Sequence, residues 1–367
     1  MIKIQTGNLL EAKTEALVNT VNCVGVMGKG IALQFKQAYP EVYKEYKRSC
    51  ERGELRPGLV QVVATRSLFH PRYVINFPTK DHWRGKSKLA DIREGLKSLV
   101  ETVISMGITS IAIPPLGCGN GGLSWAEVRP LIESAFAGLS SVEVNLYEPA
   151  GAPAAMSMPV GTKKPNLTFN RALVLKLWMA YCNLDFDTEL NQLVVQKLCY
   201  FLQNTGQDLK LEFVRGTYGP YADNLKFVLQ RLEGHYTRGY GDRSSPNSSI
   251  ELLLKDSTEL DEILKSDPDA IERLVKVIKL VDSFHSPYLL ELLSTVHFVA
   301  SESEEASSGY SAVVTAVREW SERKESLFRP KDVKLAWEHL KGQGWINTPK
   351  TKQSKFAENY ERINWTS

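Results

Sequence analysis

The chemistry in this chain gathers at two glycine-rich loops and a few protic side chains near them. In LVNTVNCVGVMGKGIALQF, from Leu17 to Phe35, an apolar run passes Asn19 and Asn22, enters a loop holding Gly25, Gly28 and Gly30, and turns helical. In PPLGCGNGGLSW, Gly117, Gly119, Gly121 and Gly122 lead into a Ser-x-x-Glu helix start at Ser124. Glycine lets main-chain N–H groups come close to an anion, and a following helix points its positive dipole end at the same place. One junction of this kind is a weak signal, since the spacing is neither G-x-G-x-x-G nor G-x-x-x-x-G-K-S/T. Two in one α/β domain can clasp a diphosphate from both sides. The protic side chains near the strand ends are Lys29, Lys80 and His82, with Asp81 beside them.

Elements of two periods must position these groups. Short apolar or alternating runs at 2–5, 16–21, 59–65, 73–77, 110–116 and 142–147 read as strands. Between them, Leu89, Ile92, Leu96, Leu99, Val100, Val103 and Ile104 form one helical stripe ending at Gly107, and Pro40 opens another helix that stops near Gly53. Strands separated by helices imply a three-layer α/β/α domain around a largely parallel or mixed sheet, over residues 1–150. Such sheets take ligands at the carboxyl ends of their strands. Residues 151–166, rich in proline and small residues, read as a linker. Residues 167–355 read as a mostly α-helical, winged-helix-like domain, with an exposed acidic loop at 301–309, and 356–367 as a loose tail.

Composition bounds the class. At 367 residues, with 24% charged and 43% hydrophobic content, two soluble domains are expected. No apolar run is long enough to span a membrane and no leader precedes the first strand, so we expect a cytoplasmic protein with no membrane partner. The five cysteines are scattered and lack a C-x-x-C pair, which argues against disulfides and structural zinc. His70 and His82 have no ligand spacing, so no metal is expected. Cys118 has no histidine paired with it in sequence and reads as a small loop residue, Cys23 reads as core, and Asn19 is expected to brace its own loop through the backbone. Residues 1–150 are net positive and the remainder nearly neutral, which suits an anionic ligand in the first domain.

Gly7-Asn8, VNTVN followed by GKGIA, INFPTK and PPLGCGNGGL together resemble a macrodomain, the fold that binds ADP-ribose. GVMGKGIALQFK, NFPTK and W-x-x-V resemble the macrodomain of the DarG antitoxins, which remove ADP-ribose from DNA bases modified by DarT toxins. The resemblance implies that Gly28, Lys29, Gly30, Ile31 and Ala32 line the diphosphate and distal ribose, with Asn22 bonded to that ribose. It implies that loop 117–123 offers the N–H groups of Cys118, Gly119, Asn120, Gly121 and Leu123 to the phosphates, with Gly117 and Gly122 also binding the ligand, and that Thr79 lies beside it. Asn8 and Leu9 stand near the adenine, where many macrodomains carry an aspartate in a G-D-I motif, and Tyr147 lies against it. ADP-ribose is ligand and product, with no further cofactor.

Cleaving a base–ribose bond normally calls for paired carboxylates, and neither glycine loop contains one. The resemblance implies that the lysine after N-F-P-T, Lys80, is the catalytic group. It would act as an amine attacking the anomeric carbon or as the acid that protonates the leaving base. It further implies ADP-ribosylated single-stranded DNA, with thymidine as the modified base, as substrate, and a cognate DarT ADP-ribosyltransferase held by the C-terminal domain. Hydrolysis of protein-linked or O-acetyl-ADP-ribose, and non-catalytic ADP-ribose sensing, remain as alternatives. In the second domain, Arg215, Tyr218, Tyr221, Arg231, Tyr236, Arg238 and Tyr240 interleave cations and aromatics. Such a string can bind nucleic acid, although spacing near apolar residues favours the core for the tyrosines.

Overall fold

The computed structural model describes residues 1–28, 30–149, 158–185, 188–240, 249–302 and 304–346. The chain divides into two compact units, Met1–Lys164 with Glu233–Ser244, and Pro165–Leu232 with Ser245–Ser367.

The first unit is built on a six-stranded mixed sheet of β1 (Ile2–Gln5), β2 (Ala16–Val21), β3 (Gln61–Ala64), β4 (Tyr73–Pro78), β5 (Ser110–Ile113) and β6 (Glu143–Tyr147), in the order β1-β6-β5-β2-β4-β3. All neighbours run parallel except β3, which pairs antiparallel with β4 at one edge. Position in the sheet explains the sequence patterns. Central β2 and β4 are covered on both faces and read as nearly continuous apolar runs, whereas β1 and β3 are only partly buried. The helices are α1 (Gly30–Ala38), α2 (Pro40–Glu51), α3 (Leu89–Ser105) and α4 (Trp125–Phe136). On one side of the sheet α3 and α4 supply Ile92, Leu96, Leu99, Val103, Val128, Ile132 and Phe136 to a core with Val18, Ile75, Phe77 and Ile113. On the other, Phe35 of α1 and Val42 of α2 pack with Leu17 and Val74.

Three local expectations differ from the structure. Ile104 is exposed, because the stripe on α3 rotates away from the sheet at its last turn. Ser124 occupies the N-cap of α4 with no side-chain bond to the helix, so no reciprocal capping box forms. The second part of the proline-rich stretch is ordered: Met158 packs into the core with Phe35, and the Gly161 N–H bonds to the Gln37 carbonyl at 2.8 Å. Residues 150–157 and the tail lie outside the described residues.

The second unit is mostly helical: α5 (Phe169–Cys182), α6 (Gln192–Asn204), α7 (Leu225–Leu232), α8 (Thr258–Leu264), α9 (Pro268–Val281), α10 (Pro287–Glu302), α11 (Glu304–Ser308), α12 (Tyr310–Trp320), α13 (Glu322–Leu327) and α14 (Pro330–Gly342). Most of the expected acidic loop at 301–309 is therefore helical. One hairpin, β7 (Phe213–Gly216) with β8 (Gly219–Ala222), docks on α6 through polar side chains. The Gln196 amide pairs with both the N–H and the carbonyl of Ala222 at 2.9 Å, and Lys197 Nζ donates to the Pro220 carbonyl at 2.7 Å. A buried cluster lies on α10 and α13, where Glu291 accepts from Lys324 and Arg323. Among the described residues no helix is long and apolar enough to cross a membrane.

Candidate active site

Three neighbouring parallel strands, β5, β2 and β4, end at the same edge of the sheet and deliver three loops to one place. Residues 22–29 follow β2, 79–88 follow β4, and 114–124 follow β5. Beneath them, Asn19 and Asn76 sit opposite each other in register, and Asn19 Nδ2 donates to Asn76 Oδ1 at 2.9 Å. Asn76 then donates to Gln61 Oε1, and Gln61 to Ser49 Oγ, each at 2.9 Å. Asn19 thus bonds across to the next strand, and it also reaches its own loop at Met27 Sδ, 3.9 Å away, through a side chain and not through the backbone as expected. A lone amide inside the run YVINF was the signal for this relay, because a buried polar group between apolar neighbours must find a partner.

Asn22 organises the first loop. Its Oδ1 accepts from the N–H groups of Val24 and Val26 at 3.0 and 3.4 Å, and its Nδ2 donates to the Val26 carbonyl at 2.5 Å. The buried Tyr46 hydroxyl lies 2.9 Å from the Asn22 carbonyl. Gly30 then starts α1 with φ 56°, a conformation that favours glycine. Ile31 and Ala32 occupy the first turn, where N–H groups have no intrahelical partner. Lys29 lies outside the described residues.

The second loop closes on itself and leaves a row of donors. The Cys118 N–H bonds to the Pro115 carbonyl at 3.2 Å, and those of Gly122 and Leu123 bond to Gly119 and Gly117 at 3.0 Å. Two of the five N–H groups singled out from the sequence, on Cys118 and Leu123, are therefore used inside the loop. Those of Gly119, Asn120 and Gly121 have no partner among the described residues. Three consecutive free N–H groups form a concavity that favours an anion. A Cβ at Gly30 would lie 3.4 Å from Asn120 Nδ2, so the two glycine loops face each other.

Lys80 stands between them. Its backbone is held by the exit of β2: the Thr79 N–H bonds to the Val21 carbonyl at 3.0 Å, and the Cys23 N–H bonds to the Asp81 carbonyl at 2.9 Å. Its Nζ reaches across to the Asn120 carbonyl at 2.9 Å. Partial burial holds the amine below its usual range, because desolvation disfavours the charged form. The arrangement therefore offers main-chain donors for a diphosphate and, within reach of the same loop, an amine readier to be neutral than a surface lysine.

The Macro domain model matches residues 18–132. The DNA ADP-ribosyl glycohydrolase of Thermus aquaticus is 46% identical over 327 residues, covering 89% of this chain and 89% of the relative. The chain belongs to the DNA ADP-ribosyl glycohydrolase family. The Mycobacterium tuberculosis protein of the same name is 40% identical over 353 residues, covering 93% of this chain and 99% of the relative. The solved macrodomain of Mycobacterium tuberculosis DarG is 54% identical and covers 41% of this chain and 99% of that one, with a TM-score of 0.41.

In this family member, the remaining expected residues occupy a second part of the sheet edge. Asn8 caps the short 3-10 helix Leu9–Glu11 by accepting from the Leu10 N–H at 3.1 Å, and it donates to Glu11 Oε1. Leu9 is buried, and Tyr147 ends β6 packed against the core that contains Leu9 and Leu17. Burial pushes the Cys118 thiol up to about 11, so little thiolate exists at neutral pH and the glycohydrolase site gains no sulfur nucleophile from it. Cys23, also half-buried, is pushed up to about 12, first by desolvation and then by Asp81.

Sequence reasoning missed Ser87. Its N–H bonds to the Gly121 carbonyl at 3.0 Å, and a Cβ on Gly117 would lie 3.0 Å from the Ser87 Cβ. A Cβ on Gly121 would collide with Ser87 Oγ and the Gly117 carbonyl. Ser87, together with Leu123 beside Gly117 and the Gly117 carbonyl beside Gly121, leaves no room for a Cβ at either position, and Gly117 also has φ 72°. Of the string of cations and aromatics beyond residue 213, Tyr236 and Tyr240 are buried, while Tyr218 is exposed beneath the Arg323 guanidinium.

Proposed function

We propose that this protein is an antitoxin that hydrolyses the bond between a DNA base and the distal ribose of ADP-ribose, and that it also captures the transferase that makes the modification. The observation that carries the catalytic part is the Lys80 amine, lowered in basicity by burial and set 2.9 Å from the carbonyl of the loop that presents three free N–H groups. The diphosphate lies on Gly119, Asn120 and Gly121 and the first turn of α1 with Gly28 to Ala32, and Asn22 holds the loop that faces the distal ribose. Leu9, Asn8 and Tyr147 flank the adenine, and Thr79 fixes the backbone from which Lys80 projects.

The bond between the anomeric carbon and the ring oxygen breaks as that oxygen keeps the electron pair and takes a proton, leaving an iminium with the base nitrogen. The neutral amine of Lys80 then adds to the anomeric carbon. The carbon–nitrogen bond to the base breaks, the electron pair leaves with the base nitrogen, and that nitrogen takes a proton. Water hydrolyses the resulting imine, which returns the amine and releases ADP-ribose. A DNA base is favoured over a protein glutamate because relatives 46% and 40% identical over most of this chain are named DNA ADP-ribosyl glycohydrolases. The substrate strand is single and the modified base is thymidine. The protein works in the cytoplasm, where its five cysteines, all free, remain reduced.

The transferase partner is supported by a Thermosipho africanus protein named as a fusion of DNA ADP-ribosyl transferase and DNA ADP-ribosyl glycohydrolase, 35% identical over 146 residues. The helical unit provides the capture surface, separately from the hydrolase. Purified protein is expected to release ADP-ribose from an oligonucleotide carrying one ADP-ribosylated thymidine. Release from glutamate-linked ADP-ribose, with none from the oligonucleotide, would overturn the assignment.

A further inference from the structure

We infer that the turn following Lys80 is a stacking platform for a nucleotide within about three steps of the modified base, with Trp83 at its centre. The segment from Lys80 to Lys88 reads KDHWRGKSK and carries Lys80, Arg84, Lys86 and Lys88 against the single carboxylate of Asp81. Trp83 is 44% exposed, although tryptophan ordinarily buries most of its surface. It does not stand alone. The His82 ring lies 5.3 Å from it at an interplanar angle of 31°, and the Arg84 guanidinium lies 4.6 Å from its ring centre. Aromatic and guanidinium planes both stack on bases, and this cluster of three groups is already assembled around Trp83.

The turn is held in shape, which reduces the entropic cost of binding. The Gly85 N–H bonds to the His82 carbonyl at 2.9 Å, and the Arg84 N–H to His82 Nδ1 at 3.2 Å. Both ends are tied to the second glycine loop, Lys80 through Asn120 and Ser87 through Gly121. The turn therefore projects from the rim of the diphosphate loop itself. Three peptide units separate the Lys80 and Trp83 Cα atoms, a span of at most about 11 Å. That is roughly three steps of a stacked strand at ~3.4 Å each.

The chemistry of the cluster selects its ligand. A ring projecting on a turn needs the open face of a base, and a duplex covers those faces while a single strand does not. Lys86 and Lys88 are exposed and lie along the same segment to meet phosphates. The platform thus reads strandedness rather than sequence, since every base has a π-face.

This inference rests on a DNA substrate for the Lys80 site, and its test separates the two. The full chain and its Trp83→Ala and Trp83→Phe variants are titrated against a labelled, unmodified single-stranded oligonucleotide and against the same sequence as a duplex. Trp83→Ala is expected to weaken single-strand binding about tenfold, with Trp83→Phe within about threefold of the native chain. Replacing Lys86 and Lys88 together by alanine should flatten the dependence of log affinity on log salt by about 1.4, or roughly 0.7 per phosphate contact on a single strand. Single-strand binding by Trp83→Ala within threefold of the native chain, or an equal loss on the duplex, would overturn the platform. If Trp83 proves necessary for strand binding while the native chain releases no ADP-ribose, the hydrolase reading fails and the platform stands. If ADP-ribose is released while Trp83→Ala binds normally, the platform fails and the hydrolase stands.

Discussion

Lys80 gathers its properties from its neighbours rather than from its own type. Thr79 and Asp81 tie the backbone to the exit of β2, so the side chain has little choice but to cross toward Asn120. Burial disfavours the ammonium, so more of the amine is neutral at a given pH. The sign of the pH dependence follows: hydrolysis should rise with pH as Lys80 loses its proton and level off below the ordinary lysine value of 10.5. A pH–rate profile of single-turnover release checks this, and a rate that falls over the same range would instead make Lys80 the proton donor. Borohydride added during turnover should fix a covalent adduct on the peptide containing Lys80. The role of Lys80 was legible only through its place after N-F-P-T, because lysine at a strand end is more often a solvated charge. Asn76 was legible as a buried amide that needs a partner but its partners were not, and Ser87 was not legible at all, since each acts through a partner distant in sequence.

At the scale of elements, the six strands follow from apolar runs and alternation, and turn chemistry separates them. What sequence could not supply was their order. That β5, β2 and β4 are neighbours, and so bring three loops together, depends on pairing between strands far apart in the chain. The glycine loops were legible as anion sites because both of them open helices, but the inward bonds of Cys118 and Leu123 were not. The structure makes the loop sensitive to small changes. Gly121→Ala forces its Cβ against Ser87 Oγ and the Gly117 carbonyl, so ADP-ribose affinity measured by calorimetry should fall at least about tenfold with the fold retained. Affinity equal to the native chain would show that the loop can relax. On α3, a Cβ at Gly95 would strike the Phe77 ring, and Gly95→Ala should lower thermal stability by about 1–3 kcal/mol.

At the scale of the whole molecule, the two units carry different electrostatic problems. The first leaves N–H donors open at a sheet edge, as a site for an anion must. The second buries Lys197 against the Pro220 carbonyl and holds it down to about 7, first by desolvation and then by Lys324. In the unfolded chain that lysine stays protonated to its ordinary value, so between about pH 7 and 9 the unfolded state binds more protons. This term therefore makes stability rise with pH in that window. Lys197→Met should flatten that rise in urea titrations at pH 7 and pH 9, and an unchanged slope would remove Lys197 as its source. The helical character of this unit was legible from its apolar periodicity, whereas the Lys197 and Glu291 contacts were not, because charged residues inside helices ordinarily face water.

The most direct test compares the native chain with Lys80→Ala on one ADP-ribosylated single-stranded oligonucleotide, with ADP-ribose affinity measured alongside. The variant should lose on the order of a hundred- to ten-thousandfold in the rate of ADP-ribose release while its affinity for free ADP-ribose stays within about threefold. Release at the native rate from Lys80→Ala would contradict the account.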